Sequence, residues 1–202
     1  MNFLAHAHLS GSNKDVLLGN FIADAIKGNK FLDFRQDIQT GILLHRQIDT
    51  FTDTHSLFKQ SVGRVRKDFG RYSGIVMDIF YDHYLARNWK DYHEDDLAPF
   101  AAHVYRILTR NVMILPNRTK RLLPFLVSQN WLTSYAELNG LKQVFYGMDR
   151  RTGKISGMDK AVEVLKLHYD NLYADFKDFY PELIDFSKEK LDDLTRDPKS
   201  TA

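Results

Sequence analysis

The sequence predicts an all-α protein built as one helical domain, and three observations support this. Apolar residues recur at the 3.6-residue spacing of helices along almost the whole chain. The sequence shows no alternating runs rich in Val, Ile and Thr joined by hairpin turns, which would indicate strands. The 202 residues are 44% hydrophobic and 13% aromatic, enough for one packed core. We therefore predict a single-domain helical bundle over residues 1–195 and a polar, frayed tail over residues 196–202.

Breaks between the expected helices are marked by glycines, prolines and polar stretches. Gly28, Gly70 and Pro116 mark three of them, and residues 92–94 and 153–157 mark two more. The last two helices are expected to be separate, with Pro181 at the start of the second. The expected helices are Lys14–Lys27, Asp33–Phe51, His55–Phe69, Gly74–Asn88, Asp95–Met113, Thr119–Asn130, Leu132–Gly147, Lys160–Phe179 and Pro181–Leu194.

Composition excludes several classes of function. The net charge of +2 is too balanced to favour nucleic acid as the main partner. The absence of cysteine excludes disulfides, thiolate nucleophiles and cysteine-based zinc sites, so a metal would need histidine and carboxylate ligands. The N-terminus lacks the pattern of a signal peptide, and no apolar run approaches the ~20 residues of a membrane span. We expect a cytoplasmic protein that does not bind membranes.

Two helical segments each carry a pair of possible metal ligands. Asp78 and Asp82 are four residues apart in an otherwise apolar helix, and His83 follows them. His45 and Asp49 have the same spacing, so they share one face of another helix. Burying a carboxylate costs several kcal/mol unless it is paired or bound to metal. The sequence therefore predicts a divalent metal site between the two helices.

Further polar residues could contribute to this site. His6 and His8 would diverge on a helix, and only an extended backbone would let both bind one metal. Asn20 and Asp24 form a polar stripe on an apolar helix. Arg46, next to His45, is suited to bind a phosphoester. Mixed imidazole and carboxylate ligands favour Mn, Fe or Zn over Ca. The candidate ligands are His6, His8, Asp24, His45, Asp49, Asp78, Asp82 and His83, not all of which can bind directly.

Several pieces of the sequence form a recognisable combination: residues 1–8, 19–24, 41–53 and 129–132, together with Asp78, Asp82, His83, Gly147, Met148, Arg150 and Arg151. With these pieces, the chain closely resembles the acyl carrier protein phosphodiesterase family from residue 1 to about residue 180. That family looks related to the all-helical HD-domain metal phosphohydrolases, although the adjacent pair here reads Asp82-His83 rather than His-Asp.

The resemblance implies hydrolysis of the phosphodiester that joins 4'-phosphopantetheine to a serine of holo acyl carrier protein, with Mn²⁺ as the ion and Mg²⁺ or Fe²⁺ as alternatives. It implies His6, His8, Asp24, His45, Asp49 and Asp78 as metal ligands. Asp82, His83 and Arg46 would be catalytic residues that orient water or balance charge. The residues implied in substrate binding are Asn20, Trp131, Tyr135, Arg150 and Arg151.

An acidic carrier protein also requires basic residues around the site. The sequence offers three basic clusters; we choose the third as the docking site because it lies within a matching piece, and the other two remain possible docking faces. The clusters are Arg64, Arg66, Lys67 and Arg71; Arg118, Lys120 and Arg121; and Arg150, Arg151 and Lys154. Two other readings remain open at this point: an HD-type enzyme for a nucleotide or another small phosphoester, and a binding module whose polar residues form a satisfied network. The oligomeric state also remains open.

Overall fold

A computed structural model describes residues 2–196, which form eleven α-helices and several short 3-10 segments, with no strand in that range. The all-α prediction is confirmed. Residues 197–202 of the predicted tail lie outside the described residues, whereas Arg196 ends the last helix. The helices are α1 (Phe3–His8), α2 (Lys14–Ile22), α3 (Gln36–Thr54), α4 (Ser56–Arg64), α5 (Arg66–Phe69), α6 (Ser73–Arg87), α7 (Leu97–Arg110), α8 (Asn117–Ser128), α9 (Trp131–Ser134), α10 (Leu138–Arg151) and α11 (Ala161–Arg196).

Helices α2 and α3 pack with their backbones in close contact because a glycine lies on each. A Cβ atom on Gly19 would lie 2.1 Å from the carbonyl oxygen of Ile38, and one on Gly41 would lie 2.0 Å from that of Val16. Neither distance is sterically possible, so this approach requires glycine at both positions. The contact places Asn20, the residue that follows Gly19, beside His45 of α3.

Helix α1 is absent from the predicted helices, because its six residues are too few to show a clear period. It is stabilised by Asp82 of α6, a residue distant in the sequence but in direct contact with the start of α1. The backbone N–H groups of Leu4 and Ala5 donate to the Asp82 carboxylate over 2.8 and 3.2 Å. Amides in the first turn of a helix have no partner within the helix, and a negative charge there also complements the helix dipole. Asp82 thereby fixes the position of α1.

Helix α11 continues through Pro181, so the prediction of two separate helices is wrong. Proline removes one helical hydrogen bond and crowds the carbonyl of the residue four positions earlier, here Lys177. Pro181 and Lys177 are both exposed, so water can satisfy that carbonyl. The neighbouring Phe179 and Leu183 are fully buried and hold both halves of the helix against the core.

Helix α6 lies at the centre of the core, with most of its residues buried, including Phe80, Tyr81 and Tyr84. Its polar residues are therefore surrounded by other helices, as the sequence predicted. Despite such apolar segments, the part of the chain from residue 2 to 196 contains no helix that is both long and apolar enough to cross a membrane.

Candidate metal centre

Three side chains, that of His6 from α1 and those of His45 and Asp49 from α3, come together in a cluster. One possible ligand atom from each lies within 4.8 Å of the others. The Nε2 atom of His6 is 3.2 Å from Asp49 Oδ1, and the Nε2 atom of His45 is 3.1 Å from Asp49 Oδ2. The i,i+4 spacing of His45 and Asp49 brings them together on α3 as predicted, and α1 adds the second imidazole.

Asn20 fixes the orientation of both imidazoles. Its Nδ2 donates to the carbonyl oxygen of His6 and to Ser10 Oγ, each over 3.0 Å, so its Oδ1 must face the two rings. This oxygen lies 2.8 Å from His6 Nδ1 and 3.1 Å from His45 Nδ1. An amide oxygen can only accept, so both Nδ1 atoms carry hydrogen and both Nε2 atoms point toward Asp49. Histidines that bind metals commonly have their second nitrogen held in this way.

The charge balance of this cluster favours a cation. Burial and the neighbouring His45 lower the pKa of His6 to about 4, so the His6 ring is neutral at pH 7. Its buried Nε2 atom then presents a lone pair to Asp49, and no hydrogen-bond donor among residues 2–196 reaches that nitrogen. Burial also lowers the pKa of His45, but hydrogen bonds to Asp24 and Asp49 outweigh this effect and raise the pKa to about 9. A proton on His45 thus occupies a place that a metal ion can take.

The donor set fits a transition metal. Two imidazole nitrogens and the Asp49 carboxylate converge, and Asp24 Oδ1 lies 3.5 Å from His45 Nε2. Burial raises the pKa of Asp49, but the hydrogen bond from protonated His45 and the close contact with the His6 imidazole outweigh burial and leave the pKa below its usual value, so this carboxylate is ionised. Nitrogen and carboxylate ligands together suit Mn²⁺, Fe²⁺ or Zn²⁺. The residues present therefore fit a divalent metal ion.

A cavity of about 650 Å³ adjoins the cluster. This volume is typical of sites for small organic ligands. Its wall includes four carboxylates, three guanidinium groups and several apolar side chains, so it can accommodate a ligand with both charged and apolar parts. The charged residues in the wall are Asp24, Asp49, Asp53, Asp78, Arg118, Arg121 and Arg151.

Several predicted residues lie together at this site. His6, His45 and Asp49 contact one another, Asp24 contacts His45, and Asp78 lines the same cavity as the two other carboxylates. Burial raises the pKa of Asp78. Of the predicted substrate-binding residues, Trp131, Tyr135 and Arg151 line the cavity.

His8 does not join the cluster, which corrects the expectation that both residues of the His-x-His pair bind one metal. Residues 3–8 are helical, so the side chains of His6 and His8 diverge. The Nε2 atom of His8 lies 3.0 Å from the Tyr92 carbonyl oxygen, and its Nδ1 atom lies 2.9 Å from the Tyr180 hydroxyl. The Tyr92 carbonyl requires a donor and the Tyr180 hydroxyl supplies one, so both ring nitrogens are used.

The geometry gives no support to the catalytic roles predicted for Asp82 and His83. Both side chains are fully buried and neither lines the cavity. The Asp82 oxygens bind the amides of α1, although burial still raises the pKa of Asp82 to about 7. The Nδ1 atom of His83 lies 2.7 Å from the Tyr135 carbonyl oxygen, and its Nε2 atom lies 3.1 Å from the Tyr169 hydroxyl. Both residues connect helices in the core.

Three other predicted residues also lie away from the cavity wall. The Arg46 guanidinium donates to the carbonyl oxygen of Gly28 over 2.8 Å and lies 5.0 Å from the ring centre of Phe31. Arg150 is exposed and does not line the cavity. Asn20 is fully buried behind the two imidazoles, so it positions histidines rather than binding substrate.

The cavity also includes residues that we did not predict as part of the site. Asp53 follows Asp49 by four residues, so the sequence spacing could have placed it on the same face of α3. Arg118, Arg121 and Phe125 line the cavity from α8. Their spacing of three and four residues indicates one helix face, but sequence alone does not show which basic cluster faces the site.

Comparison with known proteins agrees with the resemblance. A family model described as acyl carrier protein phosphodiesterase matches residues 1–183. No solved structure matches, and the relation to HD-domain enzymes stays a prediction.

Curated relatives carry the same name. An acyl carrier protein phosphodiesterase of Yersinia enterocolitica is 34% identical over 191 residues, covering 94% of this chain and 99% of the relative. One of Photorhabdus laumondii is 35% identical over 196 residues, covering 94% of this chain and 96% of the relative. One of Escherichia coli O6:H1 is 31% identical over 191 residues, with coverage of 94% and 99%. The chain belongs to the acyl carrier protein phosphodiesterase family.

Proposed function

We propose that this protein is a metal-dependent phosphodiesterase that removes 4'-phosphopantetheine from the serine of holo acyl carrier protein. Family membership supports the substrate. Metal dependence rests mainly on one observation: His6 and His45 aim their Nε2 atoms at Asp49 while Asn20 holds both Nδ1 atoms. A purely structural network would give each Nε2 a hydrogen-bond partner, which His6 lacks among residues 2–196.

His6, His45 and Asp49 would hold the ion, and Asp24 is close enough to His45 to join them. We assign Mn²⁺ first. Mg²⁺ prefers a shell of oxygen atoms, which two imidazoles do not provide, whereas Mn²⁺ and Fe²⁺ accept both nitrogen and oxygen. A divalent ion in this position supplies Lewis-acid activation of the phosphoryl group and of water.

Residues that line the cavity can activate the water and neutralise the charge of the substrate. Asp78 orients the attacking water and accepts its proton, a role earlier expected of Asp82. The guanidinium groups of Arg118, Arg121 and Arg151 offset the negative charge of the phosphodiester. The water oxygen adds to phosphorus, the bond from phosphorus to the serine oxygen breaks, and a proton passes to that oxygen. The products are apo carrier and free 4'-phosphopantetheine.

The apolar part of the cavity suits the pantetheine arm. Trp131 and Tyr135 line it near α9, and Val144 and Met148 line it from α10. The arm is long and uncharged beyond its phosphate, so it requires a groove of this kind leading to the metal ligands.

Hydrolysis is tested on protein freed of metal with a chelator. This protein is incubated with holo carrier, with and without added Mn²⁺, and the intact carrier mass is measured. Loss of the phosphopantetheinyl mass only with Mn²⁺ is expected. Asp49→Asn should abolish this loss, whereas Asp37→Asn, an exposed position on the same helix and outside the cavity, should not.

Two results would contradict the proposal. Equal hydrolysis in the presence of chelator would show that the reaction does not depend on metal. An unchanged holo carrier, together with cleavage of small phosphodiesters, would favour the alternative enzyme that acts on a small molecule.

A further inference from the structure

Helix α8 has a mixed basic and apolar face that lines part of the cavity. Arg118, Arg121, Leu122 and Phe125 line the cavity at spacings of three, four and seven residues from the first, so they share one side of the helix. We call these four residues the α8 face. The two arginines are exposed, and Phe125 is 55% exposed. The adjoining side of α8, which includes Leu123 and Leu126, is buried in the core.

The arginines of the α8 face are available to an outside partner. Neither Arg118 nor Arg121 forms an ion pair with a carboxylate in the described part of the chain. Lys120, between them, instead donates to the carbonyl oxygen of Met113 over 2.9 Å. Basic residues without an acidic partner beside a large cavity indicate a negatively charged ligand or protein.

The other basic clusters are less suited to this role. None of Arg64, Arg66, Lys67 and Arg71 lines the cavity. Arg64 is paired with Asp175 at 3.0 Å, and Arg71 donates to the Tyr72 hydroxyl over 2.8 Å. In the third cluster only Arg151 lines the cavity, on the side formed by α10.

We propose that the α8 face is the docking surface for the acidic carrier protein. Arg118 and Arg121 contact its carboxylates, and Phe125 packs against it as an apolar anchor. A carrier held there would extend its phosphopantetheine arm into the cavity between α8 and α10, toward the metal ligands. This assignment rests on the proposed function, because that function makes an acidic carrier the partner.

The sharpest test measures binding of apo carrier, which lacks the arm and therefore reports docking alone. Binding is followed by fluorescence anisotropy at low salt for three proteins: the parent, Arg118→Glu with Arg121→Glu, and Arg66→Glu with Lys67→Glu. Each double variant replaces two positive charges with two negative ones, so their net charges are equal. The α8 variant should raise Kd by about tenfold or more, and the α5 control should stay close to the parent. Thermal unfolding of all three checks that they are folded.

Phe125→Ala provides a second, uncharged probe of the same surface. It should raise Kd for apo carrier and leave the salt dependence of binding as in the parent, because only apolar contact is lost. Equal weakening by both charge variants would overturn the inference, since net charge alone would then explain binding. Parent-like binding by the α8 variant, or no binding by the parent, would also overturn it.

Failure of docking and failure of hydrolysis remain distinguishable. If the parent releases phosphopantetheine and the α8 variant binds apo carrier normally, the proposed function stands and the proposed docking surface is refuted. If the parent binds apo carrier through Arg118 and Arg121 but releases no phosphopantetheine from holo carrier, the docking surface stands and the proposed reaction is refuted.

Discussion

Replacing Asn20 with leucine should weaken metal binding, although Asn20 is not itself a proposed metal ligand. The Asn20 side chain is fully buried and takes part in four hydrogen bonds, with the Nδ1 atoms of His6 and His45, the carbonyl oxygen of His6 and the hydroxyl of Ser10. Leucine has a similar volume but accepts and donates nothing. Both imidazoles would lose the partner that fixes their tautomer and orientation.

The magnitude follows from these contacts. Two Nδ1–H groups lose their acceptor, and an unsatisfied buried donor costs about 1–3 kcal/mol, so unfolding should require about 2–6 kcal/mol less free energy. The His6 carbonyl oxygen still accepts a hydrogen bond from the Ser10 hydroxyl over 2.6 Å, so losing the Asn20 donor costs less free energy there than at the two imidazoles. Loss of a residue that orients a metal ligand weakens metal affinity by about 10- to 100-fold.

The assay combines a Mn²⁺ titration, read by electron paramagnetic resonance of the free ion, with chemical unfolding of the metal-free protein. Asn20→Asp serves as the matched comparison, since a carboxylate still accepts from both Nδ1 atoms but no longer donates to the His6 carbonyl. It should therefore recover most of the Mn²⁺ affinity while remaining less stable than the parent. Unchanged Mn²⁺ affinity in a folded Asn20→Leu protein would refute the positioning role.

Three further predictions concern neighbouring parts of the site. Gly41→Ala should destabilise the fold by several kcal/mol and weaken Mn²⁺ binding, because its methyl group would lie 2.0 Å from the Val16 carbonyl oxygen; parent-like unfolding would contradict the packing argument. Asp78→Ala should lower Mn²⁺-dependent turnover by orders of magnitude in a folded protein, and a loss of only a few-fold would assign Asp78 a structural role. The metal-free protein should lose stability, by about 3 kcal/mol at most, as pH rises through about 9, because the folded-state pKa of His45 is raised from 6.5 to about 9 and its stabilising proton is lost there. Chemical unfolding at pH 7 and pH 10 measures this, and His45→Gln should remove the difference.

The sequence was sufficient to predict α3 and α6, two of the helices that carry site residues, but not α1. Helical spacing placed His45 with Asp49, and both lie where a metal ion can bind. It also identified the central helix as apolar with embedded polar residues. These features are local, so periodicity along the chain is enough to detect them.

Features that depend on contacts between distant residues could not be predicted in this way. Asp82 looked like a ligand because a carboxylate in an apolar helix requires compensation, but that compensation comes from amides 77 and 78 residues away. Asn20 looked like a substrate-binding residue, and its role became clear only when α1 and α3 were placed on either side of it.

The roles of Asp82 and Asn20 explain how so short a first helix can supply a metal ligand. Helix α1 has six residues, too few to be stable alone, and His6 lies in its second turn. Asp82 holds the amides at its start, while Asn20 holds the carbonyl oxygen and ring of His6. The His6 ring is therefore oriented by α6 and α2 together. Two polar residues that bind no metal in our assignment thus determine where one of the ligands lies.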